Sequence, residues 1–482
     1  MSDSKRGSAR PEICAAWRAS VLRFPLAGAA LAFAAAGGAL THARGAFPVV
    51  TPGVRATVYH VKTTGSDTNP GTESRPFQTV QRAVTVVQPG DTIRVHAGTY
   101  QGIVDIRTSG TEGAPIVLEG AGDGEATLTA DFRALDCSET YPTRDRTVQI
   151  NGGADYWTIR KLSIVNGIVI IAPKNSVLKG PTFMDHSQPG HGSVRDQAAA
   201  EKVLPSFGID PSDYISLLDL DVRGRGLLTI GARHGELANS RFHDIDCGTG
   251  AAVWINRFSD FWHIHDNDIR NVAASKKHYM SEGIRLGSGS SYAVVERNVV
   301  EHMAGLGRGI TSDVGASWNV YRGNRVNDTS VNFSEQAGGW GNQYVSNLSQ
   351  NARRAGYMVF GTGGMDEAQG EGGAREGKRR RKGAPPAAEA EMGEAGSEGR
   401  SGTPKLLLFE CNDSQGDPIS FQAGDVTEST FTNNNFAALK LSDALRGAWN
   451  AKGNAWNGSK TLPPERPSTA SFASCTKAPA GR

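Results

Sequence analysis

The chain lacks an excess of charge of either sign. Lys and Arg number 51 against 49 Asp and Glu, a formal charge of +2, whereas a nucleic-acid binder carries a strong basic excess. It also lacks, beyond its first 43 residues, any run approaching the roughly 18 apolar residues that a membrane span needs. None of its 5 cysteines has CxxC spacing, which argues against a zinc site built on thiolates. With 38% hydrophobic and 21% charged residues, the chain has enough apolar material for a sizeable core, and wholesale disorder is excluded. What is abundant is glycine, 59 in 482 residues, against a usual share of about 7%. Scattered among short β-branched runs, it indicates many tight turns and many short strands. The length suits either about three ordinary domains or one elongated solenoid.

The leader carries Lys5, Arg6, Arg10, Arg18 and Arg23, then an apolar run from Phe24 to Leu40, then Thr41-His42-Ala43. That is the order of a secretory signal over residues 1–43, with an uncleaved anchor or transit peptide as the alternative. Cys14 falls within it. Cys137, Cys247, Cys411 and Cys475 remain, an even number compatible with two disulfides in an oxidising, extracellular compartment. Sequons at Asn327, Asn332, Asn347, Asn412 and Asn457 fit a secreted glycoprotein. A monomer is expected.

Composition breaks divide the rest. Residues 180–212, rich in Pro, Gly, His and Ala, read as a long surface excursion. Residues 361–404 are low-complexity and expected to be disordered, and the run Lys378-Arg379-Arg380-Arg381-Lys382 within them reads as solvated charge rather than a nuclear signal or polyanion patch. A solenoid is therefore expected over 57–360 and again over 405–457, with a tail from 458 to 482.

Between the breaks lies a repeat. Leu162-Ser163-Ile164, Leu220-Asp221-Val222, Ser240-Arg241-Phe242, Asn267-Asp268-Ile269, Asn298-Val299-Val300 and Asn324-Arg325-Val326 align. Two residues after each come Asn166, Gly224, Asp244, Asn271, His302 and Asp328. From Leu220 the starts are 20, 27, 31 and 26 residues apart, one solenoid coil per repeat. Two further short strands per repeat, such as Tyr292 to Val295 and Gly283 to Leu286, make three strands per coil. Asn or Ser at a fixed inward corner then hydrogen-bonds the neighbouring coil's backbone. The fold expected is all-β: a single-stranded right-handed parallel β-helix, its first coil capped by an amphipathic helix bearing Phe77, Val80, Val84 and Val87.

The opening stretch, from Tyr59-His60-Val61-Lys62 through Asp67-Thr68-Asn69-Pro70-Gly71 and Pro76-Phe77-Gln78-Thr79 to Pro89-Gly90-Asp91 and Gly98-Thr99-Tyr100, resembles the start of the pectate lyase-like β-helix superfamily, especially extracellular polysaccharide lyases. The resemblance implies that an acidic polysaccharide lies along the outer face of the first strand of each coil. Those strands are Leu227–Ile230, Ala252–Ile255, Gly283–Leu286 and Gly309–Ser312. Alternation places Val253, Ile255, Ile284, Leu286 and Ile310 inward, and Trp254, Asn256, Arg285, Thr311 and Asp313 outward.

A lyase acting on uronic acids must neutralise a carboxylate so that the adjoining C5 proton becomes acidic. Arg285 and Arg308 suit that role through two-pronged hydrogen bonds. Lys277, beside other cations, is the expected base, and His278 or Tyr279 the acid, with Tyr279 or His278 as base in a variant reading. Trp254 is placed to stack on a sugar, with Asn256, His302 and Asp313 as further substrate contacts. Asp244 and Asp246, with Asn256, offer oxygen ligands to Ca²⁺. Set against these roles, Arg285 and Arg308 also suit plain pairing with Glu282 or Asp313, and Asp244 shares a turn-capping column with Asn271 and Asp328. His263, His265, Asp266 and Asp268 have the composition of a metal set, but alternation sends His265 inward and the two aspartates outward. The closely spaced Asp cluster of calcium-dependent pectate lyases and the Asp-Pro-His triplet of mannuronan epimerases are both missing. A lyase cleaving pectate or alginate by β-elimination is the first reading. A non-catalytic glycan-binding or cell-surface β-helix is the second, and a glycoside hydrolase or uronan epimerase the third.

Overall fold

The computed structural model describes residues 56–132, 145–171, 197–206, 208–246, 251–273, 281–313, 315–336, 339–360 and, with short breaks, 406–456. The leader, the insert at 361–404, the tail, and Cys137, Cys247 and Cys475 lie outside these residues. Cys411 is disulfide-bonded.

Among the described residues, three long parallel sheets run along the stack, beside three of two strands each. The first holds 13 strands, from Val58–Val61 to Trp449–Lys452. The second holds 11, from Val104–Ile106 to Leu439–Leu441, and the third holds 9, from Gly98–Gln101 to Leu348–Gln350. Each strand pairs in register with its counterpart one coil on, as in Val253 to Ile284, Ile310 and Phe333. The fold is a right-handed parallel β-helix. Among the described residues no helix is long and apolar enough to cross a membrane.

The opening helix, α1 (Val80–Val84), is capped by Thr79, whose hydroxyl accepts from Arg82 N. Asp67 in turn accepts from the backbone N–H groups of Gln78 and Thr79 at 2.9 Å each. Phe77, Val80, Ala83, Val84 and Val87 are buried in the main core, so the helix lays its apolar stripe on the first coil as the sequence suggests.

Inside, like stacks on like. Tyr321, Tyr344, Phe409 and Phe431 form a column with ring centroids 4.8, 4.9 and 4.8 Å apart. Strand spacing of roughly 4.8 Å imposes that distance, which is also a favourable one for offset rings.

The inward corner carries an asparagine ladder. Asn298 Nδ2 donates to Ile264 O at 2.9 Å and to Asn324 Oδ1 at 3.1 Å, while its Oδ1 accepts from Asn267 N at 3.1 Å. The rungs start at Ser240 and Asn267 and continue through Asn324, Asn347, Asn412 and Asn434 to Asn454. The second aligned column, Asn166, Gly224, Asp244, Asn271, His302 and Asp328, has φ between 50° and 77° at every member, the left-handed region that Gly, Asn and Asp enter most easily.

Two expectations are corrected here. Asn332, Asn347 and Asn412 are fully buried, the latter two as ladder rungs, so three of the five sequons cannot carry glycan in the folded protein. His265 faces outward with His263, and only Ile264 between them enters the core. Asp266, at φ 56°, breaks the alternation between His265 and the corner residue Asn267.

Candidate functional site on the outer face of the second sheet

The outer face of the second sheet changes character along the stack. On the coils that carry Ile168–Ile171 and Leu227–Ile230 it is apolar. Val169, Ile171, Leu228, Ile230 and Trp254 point out and are covered by Val203, Leu204 and Ile209, from the described end of the 180–212 excursion. That end forms two short helices, α2 (Gln197–Ala200) and α3 (Val203–Ser206). Buried Arg233 fastens it, bonding Glu201 O at 2.6 Å, Glu201 Oε2 at 3.1 Å and Asp213 Oδ1 at 3.1 Å.

One coil past Trp254 the face becomes charged. Gly283 and Ile284 both turn inward, and a Cβ at Gly283 would lie 2.3 Å from Val300 Cγ1. Gly309 repeats this at 2.2 Å from Val326 Cγ1. These glycines let the strand entries pack on the core, so that Glu282 and Arg308, which are register partners, both project outward. Arg285 Nη1 donates to Glu282 Oε2 at 2.9 Å, and its Nη2 donates to Asp313 Oδ2. Arg308 reaches Glu282 Oε1 at 3.5 Å, and Thr311 Oγ1 donates to the same oxygen at 3.1 Å. The Arg285 guanidinium lies over the Trp254 ring, 5.0 Å from its centroid.

The side chains of Glu282 and Asp313 are 1% and 4% exposed, that of Arg285 11%, and that of Arg308 23%. Burial lowers the pKa of Arg308, opposed by the nearby carboxylates of Glu282 and Asp313. Pairing of Arg285 and Arg308 with these acids therefore takes place largely out of water, unlike the weak surface bridge that exposed partners make.

Beside this cluster is a polar niche. Gly287 is in register with Asn256, and Asp313 N bonds Leu286 O in the next coil. The nearest atoms that a Cβ at Gly287 would meet are Trp254 Nε1 at 3.5 Å, Arg285 Nε at 3.6 Å and Asn256 Oδ1 at 3.8 Å, all ordinary contacts. Asn256 Oδ1 and Asp313 Oδ1 are buried acceptors without a hydrogen-bond partner among the described residues. Buried acceptors are normally satisfied, so this niche is suited to receive donors such as sugar hydroxyls.

Two arginines that the sequence reading passed over sit at the entries of earlier strands in this sheet. Arg146 precedes Val148–Asn151, and Arg225 precedes Leu227–Ile230. Arg225 is fully buried, and its three guanidinium nitrogens have no hydrogen-bond partner among the described residues. Arg146 donates to Gly226 O at 3.3 Å. Its pKa is pushed down to about 9 by burial and by Arg225.

The structure thus brings Trp254, Asn256, Arg285, Arg308, Thr311 and Asp313 onto one face. Trp254 is not an open platform: it is 8% exposed, with Arg285 against its ring. Asp244 and His302 belong to the turn column. Asp244 bonds His243 Nδ1 at 2.8 Å and Asn271 Nδ2 at 3.1 Å, and His302 bonds Asp328 at 2.8 Å. Asp246 is exposed two residues on. Lys277, His278 and Tyr279 lie outside the described residues. The central role of Glu282 was visible in sequence as the alignment of Glu282-Gly283-Ile284 with Arg308-Gly309-Ile310, which sets a carboxylate opposite a guanidinium.

Residues 59–196 match the family model described as a Pel9A-like, right-handed β-helix region. The resemblance seen in the opening stretch is borne out there. A 59-residue stretch is 39% identical to the uncharacterized protein YwoF of Bacillus subtilis (strain 168), covering 12% of this chain and 13% of that protein's length. Among solved structures, a lacto-N-biosidase from Eubacterium ramulus is 12% identical, with TM-score 0.49, over 83% of this chain and 68% of its own. An alginate lyase from Paenibacillus sp. is 14% identical, with TM-score 0.38, over 83% and 99%. The pectate lyase Pel9A is 13% identical, with TM-score 0.33, over 85% and 82%.

Proposed function

We propose that this chain is a secreted polysaccharide lyase that cleaves an acidic, uronic-acid glycan such as pectate or alginate by β-elimination on the face between Asn256 and Asp313. The observation that carries the reading is the niche at Gly287, where two buried acceptors that have no partner among the described residues stand beside the guanidinium groups of Arg285 and Arg308. Sugar hydroxyls donate to Asn256 and Asp313. Arg308 draws electron density from the uronate carboxylate and so acidifies the C5 proton. Lys277 takes the proton, and His278 or Tyr279 protonates the leaving oxygen. These three sit just upstream of Glu282 in sequence. Ca²⁺ held by Asp244 and Asp246 would share the carboxylate-neutralising role.

One observation favours a hydrolase as the second reading. Glu282 and Asp313 converge on one guanidinium, and a pair of carboxyl groups is what glycoside hydrolysis uses. The discriminating experiment incubates the purified protein with polygalacturonate, alginate and chondroitin, with and without Ca²⁺. The lyase reading expects ultraviolet absorbance from an unsaturated product, lost in Lys277→Ala. New reducing ends without absorbance would replace the lyase by the hydrolase. Binding with neither signal would leave a non-catalytic glycan-binding β-helix.

A further inference from the structure

A second polar cluster lies on the outer wall of the first sheet, away from the face just described. Glu236 comes from one coil, and His263 and His265 from the next, with Glu236 and His263 in register. One ligand atom from each of the three lies within 4.8 Å of the others. Glu236 Oε1 and His265 Nε2 are 3.3 Å apart, which equals the separation of about 3.3 Å between two ligands each about 2.0 Å from a tetrahedral centre.

The surroundings hold the rings for metal binding. His265 Nδ1 bonds Asp266 Oδ2 at 2.7 Å, leaving Nε2 toward Glu236. His263 Nε2 bonds Glu296 Oε1 at 2.9 Å. A carboxylate on one ring nitrogen is the usual outer support of a metal-ligating histidine. Those two carboxylates are themselves committed. Arg297 pairs with Asp266 at 2.7 Å and with Glu296 at 2.6 Å, and Arg322 also bonds Glu296. The side chains of Glu236 and His263 are 41% and 44% exposed, so an ion has a path in and room for water as a fourth ligand.

We propose that Glu236, His263 and His265 form a His₂Glu site for a divalent transition metal, Zn²⁺ in the first instance, which clips two successive coils together. The test uses tag-free full-length protein, stripped with EDTA and titrated with ZnCl₂. The expected result is one zinc per chain after gel filtration, by elemental analysis, with a rise in Tm that saturates at one equivalent. The Co²⁺ form should show a visible ligand-field band. The double variant His263→Gln/His265→Gln should lose stoichiometric zinc, the Tm rise and the band. Asp266→Asn should weaken zinc by about tenfold or more. His243→Gln, which removes another carboxylate-bonded histidine, should bind zinc as the parent does. Failure of the parent protein to retain zinc, or equal retention by parent and double variant, overturns the proposal.

Discussion

Two buried polar regions of this solenoid, the asparagine ladder at the inward corner and the niche around Gly287, differ in how far their hydrogen-bonding capacity is used. Asn298 gives both kinds of bond, with neighbours above and below. Asn256, on the outer face and 5% exposed, keeps an amide oxygen with no partner among the described residues, and Asp313 keeps a carboxylate oxygen likewise. A satisfied buried network holds coils together, whereas an unsatisfied one costs stability and stands ready for a ligand.

The sharpest way to break the contrast is Asn298→Ala. It orphans Asn267 N and Ile264 O together, and should lower unfolding free energy by about 3 kcal/mol. A shifted urea midpoint reports it, with turnover per folded molecule unchanged. Next is Gly287→Val, which puts carbon into the niche at a backbone conformation open to any L residue. Turnover on the responsive glycan should fall on the order of 10²-fold with the urea midpoint nearly unmoved. Full activity in this variant would remove the niche from the mechanism.

A pH series sharpens the energetic half. Burial pushes Glu335, inside the stack, up to about 8, and Asp260 likewise up to about 8. Both are then neutral in the folded state over a range where the unfolded chain ionises them. Their contribution is full below the ordinary carboxylate range and is lost as pH rises toward 8. The urea midpoint should be higher at pH 5 than at pH 8, and Glu335→Gln should narrow that gap. Asp266 and Glu296 titrate near 2, outside the window. The smallest effect belongs to Asn256→Ala, expected to cost under about 1 kcal/mol because its oxygen gives up no bond, although its burial resembles that of Asn298. A loss as large as that of Asn298→Ala would erase the distinction.

The inner half of the molecule was legible because coil repeats force identical chemistry at identical addresses. The turn column from Asn166 to Asp328 needed a left-handed residue at each level, and the residue types said so. The later rungs Asn412, Asn434 and Asn454 escaped notice because the low-complexity segment at 361–404 interrupts the period after Asn347. Outside, alternation gave direction without cover. Trp254 does point out, but Leu204 and Ile209, supplied by a segment of biased composition dozens of residues earlier, seal that part of the face. His265 was misdirected because its strand has three residues, and the left-handed Asp266 resets the phase before the recognisable corner at Asn267.

Gln343–Val345 pairs directly with Leu408–Glu410, and Asn347 hands its hydrogen bond straight to Asn412 although the two are 65 positions apart in sequence. Position along the axis is therefore counted in rungs, not in residues. A backbone cut between 361 and 405 would sever the polypeptide while leaving both halves docked through strand pairing, so the particle should survive as a nicked, two-piece assembly.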